Sequence, residues 1–248
     1  MTINSKHYRL AVRVLLLAAI FFTGSAQCFE FRVNPLRVYL DSKNKSTTVT
    51  VENLSDQEVT MQARMNSWSQ ENGIDDTIVP TDDVVVSPPI FKIQAKSRQL
   101  IRVGNLKKPD ANIEGTYRLY MDEVPPPRKP DEPNIAVALR VSVPVFISPL
   151  SGKAKPSVSW KAEMVDEKNI KLVLHNSGTA HIQITGISVR LQDGTELGGL
   201  PDKMTYLLPS HSHIYHIKTD KPWNGEALRV MIKSDNAPYG VETEVKPE

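Results

Sequence analysis

The sequence predicts an all-β protein that consists of two immunoglobulin-like β-sandwich domains. Helix signals are nearly absent, and the chain contains 18 prolines. Short runs rich in Val, Ile, Thr and Tyr are separated by clusters of turn residues, which is the pattern of β-strands. The spacing of these runs is typical of an immunoglobulin-like sandwich, and there are enough of them for two such domains.

The first 28 residues are predicted to be a secretory leader that is not part of the folded protein. Three basic residues precede VLLLAAIFFTG, an apolar segment too short to span a bilayer. Ala26 and Cys28 place small residues at the positions that favour cleavage before Phe29, and cleavage after Ala26 is the alternative. Cys28 could also suggest a lipid anchor, but Ser25-Ala26-Gln27 is a poor lipid-attachment motif.

The charge balance excludes a protein that binds nucleic acid or an anionic membrane through a global field, and the cysteine content excludes one stabilised by disulfides. The leader holds three of the 30 basic residues, which leaves 27 basic against 28 acidic residues in the mature chain. A nearly neutral protein has no global field that favours nucleic acid or an anionic membrane. If cleavage follows Cys28, no cysteine remains for a disulfide or a thiolate site. The exported domains must then rely on apolar cores, as the composition permits.

The strand runs divide into two sets. They are, in the first half, STTVTVEN (46–53), EVTMQARMNSW (58–68), RQLIRVGNL (98–106) and TYRLYMDEV (116–124), and in the second, NIKLVLHN (169–176), HIQITGISVRL (181–191), HIYHIKT (213–219) and EALRVMIKS (226–234). Pro, Gly and Ser interrupt the pattern at SPLSGKAKPS (148–157), as expected between domains. The predicted organisation is therefore a leader at 1–28, an N-terminal domain at 29–149 and a C-terminal domain at 150–248.

The segment NIAVALRVSVPVF (134–146) has a strand pattern of unusual length. Large apolar residues at its odd positions alternate with small or polar residues over 13 residues, about twice the usual strand length. Such a strand would span roughly 40 Å. Pro144 can donate no ladder hydrogen bond, which predicts an edge strand at that end. A long apolar edge normally promotes aggregation, so its presence calls for a functional reason.

No pattern of residues indicates catalysis, a cofactor or a metal. The chain lacks the common nucleotide, hydrolase and metalloprotease motifs. His211 and His213 share one face of a strand and His216 lies near them, but no cysteine or acidic cluster completes a metal site. The tryptophans Trp68, Trp160 and Trp223 are spread singly, and we expect them to fill the two cores.

Four segments in the first half of the chain follow the leader in an order that resembles a known protein family. They are Arg37-Val-Tyr-Leu-Asp41 with the following SKNKSTTVTVEN, Ser87-Pro88-Pro89 with QAKSRQLIRV, Tyr120-Met-Asp-Glu-Val-Pro-Pro126, and NIAVALRVSVPVFISP. Together they resemble the periplasmic pilus chaperones of the PapD type. The second half matches only as a cysteine-free, β-rich segment of suitable length. The missing disulfide and several substitutions favour the archaic branch of that family over the P-pilus branch.

The resemblance implies both an architecture and a function. The two domains would be joined at a hinge with a cleft between them. The protein would act in the periplasm, bind pilus or fimbrial subunits and deliver them to an outer-membrane usher. It would do so without a cofactor or nucleotide, because the free energy comes from subunit folding and from later exchange of the donated strand.

The resemblance also gives the long strand a role. In this family strand G completes a subunit whose immunoglobulin fold lacks its last strand, which is a form of β-strand addition. The side chains that would enter the subunit groove are Ile135, Val137, Leu139 and Val141. Val143 and Val145, near the hinge, are expected in the domain's own core. When empty, the edge should pair with a second copy of the protein or be covered by the 125–133 loop.

The family anchors the subunit's C-terminal carboxylate with basic residues in the cleft, where charge-assisted hydrogen bonds are strong. Arg37 matches the family's arginine, but the usual lysine in strand G falls on Pro144. Arg118 and Arg140 are the candidate replacements, since counting back from the 125–133 turn places them roughly opposite each other. The alternatives are that both are solvated surface residues, or that a β-bulge separates them. The family's interdomain ion pair is also broken, because Glu123 is present but its arginine partner falls on Ser148.

Two other functions are open to a chain with this pattern. A structural pilin or adhesin of immunoglobulin-like domains would carry its alternating segment at the N-terminus and usually has a cysteine pair, whereas here the segment is internal. A carbohydrate-binding or metal-handling sandwich would rest only on the histidines near residue 213.

Overall fold

The computed structural model describes residues 31–71, 73, 75–125, 138–202, 204–235 and 242–248. The predicted leader, and Ile135 and Val137 of the proposed donor strand, lie outside the described residues. The described part contains no helix that is long and apolar enough to cross a membrane.

The described residues form 18 strands. In chain order these are β1 (Phe31–Asn34), β2 (Val38–Leu40), β3 (Ser46–Asn53), β4 (Val59–Glu71), β5 (Asp75–Pro80), β6 (Val84–Ser87), β7 (Ile90–Ile93), β8 (Arg98–Asn105), β9 (Gly115–Val124), β10 (Arg140–Ile147), β11 (Val158–Asp166), β12 (Asn169–Asn176), β13 (Ile182–Leu191), β14 (Glu196–Leu200), β15 (Thr205–Leu207), β16 (Ser212–Lys218), β17 (Leu228–Ser234) and β18 (Glu242–Pro247).

The first ten strands form a sandwich of two sheets. One sheet has the order β1-β3-β8-β6, and the other has the order β2-β10-β9-β4-β5 with β7 also paired to β4. Alternate residues of these strands point inward, as the period-2 pattern requires, and bury one continuous apolar cluster. Apart from the parallel β2–β10 pair, the strands of this sandwich pair antiparallel, and the two packed layers are those of the immunoglobulin fold.

The second sandwich is built in the same way from β11 to β18. One layer contains β11, β12 and β16, and the other contains β13, β14, β15 and β17. Strand β18 pairs with β17 at its start and with β11 at its end, so it connects the two layers. A separate apolar cluster fills this sandwich. The predicted fold class, two immunoglobulin-like β-sandwiches, is confirmed.

Strand β10 differs from the sequence prediction at both ends. The alternating pattern predicted a strand from residue 134, but the described strand begins at Arg140, and residues 138–139 lie outside it. Pro144 predicted an edge at the C-terminal end, yet there β10 pairs with β2 through Val145, Phe146 and Ile147. Among the described residues, the open edge is instead the preceding stretch 140–144, which pairs only with β9. As expected, Val143 and Val145 are buried in the first core.

A third apolar cluster lies between the two sandwiches, and we call it the hinge cluster. It consists of Trp68 and Phe146 from the first sandwich and Leu208 from the second, with Ile78 and Tyr206 packed against it. The expectation that each tryptophan fills a sandwich core is therefore wrong for Trp68. Trp160 and Trp223 both lie in the second core.

Candidate functional site

The outer face of the β2-β10-β9 sheet meets the second sandwich. Val145 pairs with Val38 in the parallel register, so Pro144 and Arg37, one residue earlier on each chain, are neighbours. Pro144 also pairs with Arg118 across β9 and β10. Since Val145 and Val38 point into the core, their neighbours point out of the sheet. Arg37 and Arg118 thus flank Pro144 from either side, about 10 Å apart at Cα.

Arg37 is held by the second sandwich. Its Nη2 forms an ion pair with Oδ2 of Asp235, which follows β17. Burial lowers the pKa of Arg37, but hydrogen bonds with Tyr39 and Asp235 outweigh burial and raise it. About a third of the Arg37 side chain stays exposed (32 %). The guanidinium is therefore charged, fixed in place and accessible to a ligand.

Arg118 is positioned by aromatic rings. Its guanidinium carbon lies 3.6 Å from the ring centroid of Trp68 and 5.5 Å from that of Tyr206. It forms an ion pair with Asp76 of β5, whose Oδ2 is 3.7 Å from Arg118 Nη2. Burial lowers the pKa of Arg118, and the charge of Asp76 opposes this effect. The result is a cation that stacks on aromatic faces, a favourable arrangement for a partly desolvated arginine.

Tyr206 connects the two arginines. This residue of β15 lies in the second sandwich, and both guanidinium charges act on its phenol. Burial raises the pKa of Tyr206, whereas the positive charges of Arg37 and Arg118 oppose the rise. Two cations that flank one position and share one phenol form a site suited to a single anionic group.

Arg140 does not belong to this site, which corrects the sequence-based placement. It pairs with Asp122 rather than Arg118 across β9 and β10. Its guanidinium bonds Asp122, which also binds Arg64. Arg140 lies four positions before Pro144 along β10, a distance of about 13 Å. Symmetric counting from the loop failed because the loop length does not set the register of the strands that it joins.

The donor side chains that the structure describes are Leu139 and Val141. Leu139 is half-buried, its backbone N–H donates to Glu123 Oε2 (3.2 Å), and its carbonyl accepts from the Glu123 N–H (2.9 Å). Val141 is half-buried and already packs against the first core in the free chain. Of these two side chains, only that of Val141 packs against the first core, so that of Leu139 is more available to a partner.

Several contacts across the hinge fix the relation of the two sandwiches. Glu114, just before β9, accepts from the backbone N–H of His181 (2.9 Å) and lies 2.6 Å from its Nδ1. The His181 ring stacks on Phe146 at a centroid distance of 3.5 Å. Gln70 donates to the Tyr206 carbonyl and accepts from the Leu208 N–H. Together with the Arg37–Asp235 pair, these contacts hold the two sandwiches against each other.

Sequence reasoning missed Asp235, Tyr206 and Phe146. Phe146 carried a signal, since it is a large aromatic at an even position of a strand whose other even positions are small or polar. Asp235 and Tyr206 carried none, because only the packing of the two sandwiches brings them to the site. Among the described residues, there is no group of three or more His, Cys, Asp or Glu side chains that could hold a metal ion.

Comparison with known families and proteins gives a consistent result. The family model "Pili and flagellar-assembly chaperone, PapD N-terminal domain" matches residues 30–153. The chaperone protein CssC of Escherichia coli is 25% identical over 186 residues, which is 70% of this chain and 75% of CssC.

Two solved structures illustrate the similarity of fold. A chain of the CsuC–CsuE chaperone–tip subunit pre-assembly complex, from the archaic chaperone-usher Csu pili of Acinetobacter baumannii, superposes with a TM-score of 0.68. It is 18% identical, and the match covers 88% of this chain and 99% of that one. The CupB2 chaperone of Pseudomonas aeruginosa superposes with a TM-score of 0.57 at 17% identity over 88% and 100% of the two chains.

The family model spans half of the sequence and covers all ten strands of the first sandwich. It includes Arg37, Arg118 and all of β10. The chain therefore belongs to the PapD-type family of pilus- and flagellum-assembly chaperones.

Proposed function

We propose that this protein is a periplasmic chaperone that binds pilus or fimbrial subunits by donor-strand complementation and delivers them to an outer-membrane usher. The observation that carries the proposal is the open edge of β10 next to two arginines in the cleft. We assign the leader to residues 1–28, the donor-carrying domain to 29–149 and the second domain to 150–248.

The open edge explains how a subunit would bind. Residues 140–144 pair with β9 on one side only, among the described strands, so their outward backbone groups can extend a partner's sheet. The alternate side chains Ile135, Val137, Leu139 and Val141 would then enter the subunit groove. Each fully buried aliphatic side chain contributes about 1.5–3 kcal/mol. Val141 would contribute less, because it packs against the first core before binding.

The arginine pair supports a role as the carboxylate anchor. We infer that Arg118 takes the place of the family's lysine, because it lies directly opposite Pro144 and beside Arg37. A terminal carboxylate between them would accept charge-assisted hydrogen bonds from both. Such an anchor would also set the register of the added strand, and a slip of one residue would turn every donated side chain away from the groove.

The proposal is tested by the substitution Leu139→Glu. It would place a charge in a dry groove, where an unpaired charge is strongly unfavourable. We expect the subunit that co-purifies with the wild-type chain from periplasm to be lost from the variant. Circular dichroism of the free variant should be unchanged, because Leu139 lies outside the cores.

The matched control for this test is Leu100→Glu. Leu100 is exposed on β8, in the other sheet of the same sandwich, so the added charge would stay in water away from the proposed subunit-binding edge. This control should retain the subunit. If Leu139→Glu unfolds the free protein, Leu139 is part of the first domain's core and does not act as a donor side chain.

The empty edge also predicts self-association of the free protein. An open apolar edge can pair with the same edge of a second copy. Sedimentation should therefore show dimers whose fraction rises with protein concentration and falls when subunit is added. A monomer at high concentration with slow exchange of amides 138–141 would instead indicate that the edge is covered within one chain.

A further inference from the structure

Each arginine of the anchor site already faces a carboxylate of the same chain. Arg37 pairs with Asp235 from the second sandwich, and Arg118 lies near Asp76 from β5. Two positive and two negative charges therefore balance in the free protein. A subunit carboxylate that entered unchanged surroundings would add an unmatched negative charge to a partly buried site.

The Arg37–Asp235 pair is incompletely satisfied. Only Oδ2 of Asp235 contacts the guanidinium. Oδ1 is buried and accepts no hydrogen bond from the described residues. A buried acceptor without a partner loses its hydration and gains nothing in return. The pair is therefore weaker than a two-point arginine–carboxylate contact, and release of Asp235 to water would rehydrate both of its oxygens.

The surroundings leave space for this exchange. A groove of about 710 Å³ between the sandwiches is lined by Arg37, Asp235, Tyr39 and Lys155, among other residues. Asp235 directly follows Ser234, the last residue of β17, so it is not part of the strand ladder. A rotation of its side chain into the groove would not disturb the strand ladder.

We propose that in the free protein Asp235 occupies the position on Arg37 that the subunit's terminal carboxylate takes in the complex. During binding, the subunit carboxylate displaces Asp235 from Arg37. This inference rests on the proposed function, since it takes Arg37 as the anchor. In the free protein Asp235 neutralises Arg37 and ties the second sandwich to the anchor. When the subunit binds, the Arg37–Asp235 ion pair is broken, so occupation of the anchor removes a contact that holds the second sandwich to the first. Asp235 thereby lowers the affinity for any ligand that cannot replace its ion pair.

The test compares Asp235→Asn with the wild type, using the co-purified subunit prepared with a free or an amidated C-terminus. The asparagine keeps the shape of the side chain but removes the competing charge. We expect it to bind the free-acid subunit about tenfold more tightly, which corresponds to about 1.4 kcal/mol. The amidated subunit should show no gain. Asp235→Glu, which keeps the carboxylate, should not bind the free-acid subunit more tightly than the wild type.

The control for the charge change is Glu244→Gln. It removes a carboxylate from the Arg229 pair on the second sandwich, away from the cleft, and should leave both affinities unchanged. Asp76→Asn should produce a smaller gain than Asp235→Asn, because Asp76 is more exposed and its contact with Arg118 is longer.

The outcomes separate this inference from the proposed function. If Asp235→Asn weakens both subunit forms equally, Asp235 is a structural brace and the exchange is refuted. Unchanged affinity for the free acid would refute it as well. If Arg37→Ala binds the free-acid subunit as the wild type does, the anchor itself is wrong. Thermal unfolding of free Asp235→Asn checks that any loss of affinity is not a loss of folding.

Discussion

Arg37→Ala is expected to remove most of the subunit-binding affinity, with a smaller loss of stability in the free protein, where Asp235 is left without its ion-pair partner. The substitution removes a charge-assisted contact at the anchor and leaves the subunit carboxylate buried without its partner. Loss of one member of such an interfacial pair commonly costs about 2–5 kcal/mol. The effect on the complex should be larger than one ion pair suggests, because the anchor also sets the register of the donated strand.

The measurement is the amount and affinity of subunit recovered with each variant. Arg118→Ala should behave like Arg37→Ala if it replaces the family's lysine. With a subunit whose C-terminus is amidated, neither substitution should cause a further loss. Arg32→Ala is the matched control, since Arg32 pairs with Glu52 on the other sheet of the same domain. Wild-type binding by Arg37→Ala would show that the family's anchoring scheme does not extend to this protein.

Phe146→Ala is expected to uncouple the two sandwiches. The Phe146 side chain is fully buried, stacks on His181 and packs against Trp68. Removal of a buried phenylalanine typically costs about 3–5 kcal/mol. Here much of that loss falls on the contact between domains, because the ring lies in the hinge cluster and not in either sandwich core. We expect the wild type to unfold in one thermal transition and the variant in two.

Small-angle scattering gives an independent measure of the same effect, since a loosened hinge increases the radius of gyration. Phe91→Ala is the control, because Phe91 is buried in the core of the first sandwich and has no part in the hinge. That variant should lower the first domain's stability without extending the molecule. If Phe146→Ala keeps a single transition and an unchanged radius, the polar contacts of Gln70, Glu114 and Asp235 suffice to fix the domain arrangement.

The fold class followed from local patterns. Alternation of apolar and polar residues places every second side chain of a strand on one face, so the inward positions of β3, β8 and β9 could be read along the chain. The burial of Val143 and Val145 was also predicted from the sequence and is confirmed. Each belongs to a segment whose pattern or family resemblance involves only its immediate sequence neighbours.

The site depended on contacts that no local pattern encodes. Strand register is set by the packing of whole sheets, which is why Arg118 lies opposite Pro144 and Arg140 opposite Asp122. Asp235 and Tyr206 come close to Arg37 only because the second sandwich packs against the first. The carboxylate that neutralises Arg37 lies 198 residues along the chain from it. A sequence pattern shows which faces of a strand are apolar, but charges meet across a cleft only when two complete domains have assembled.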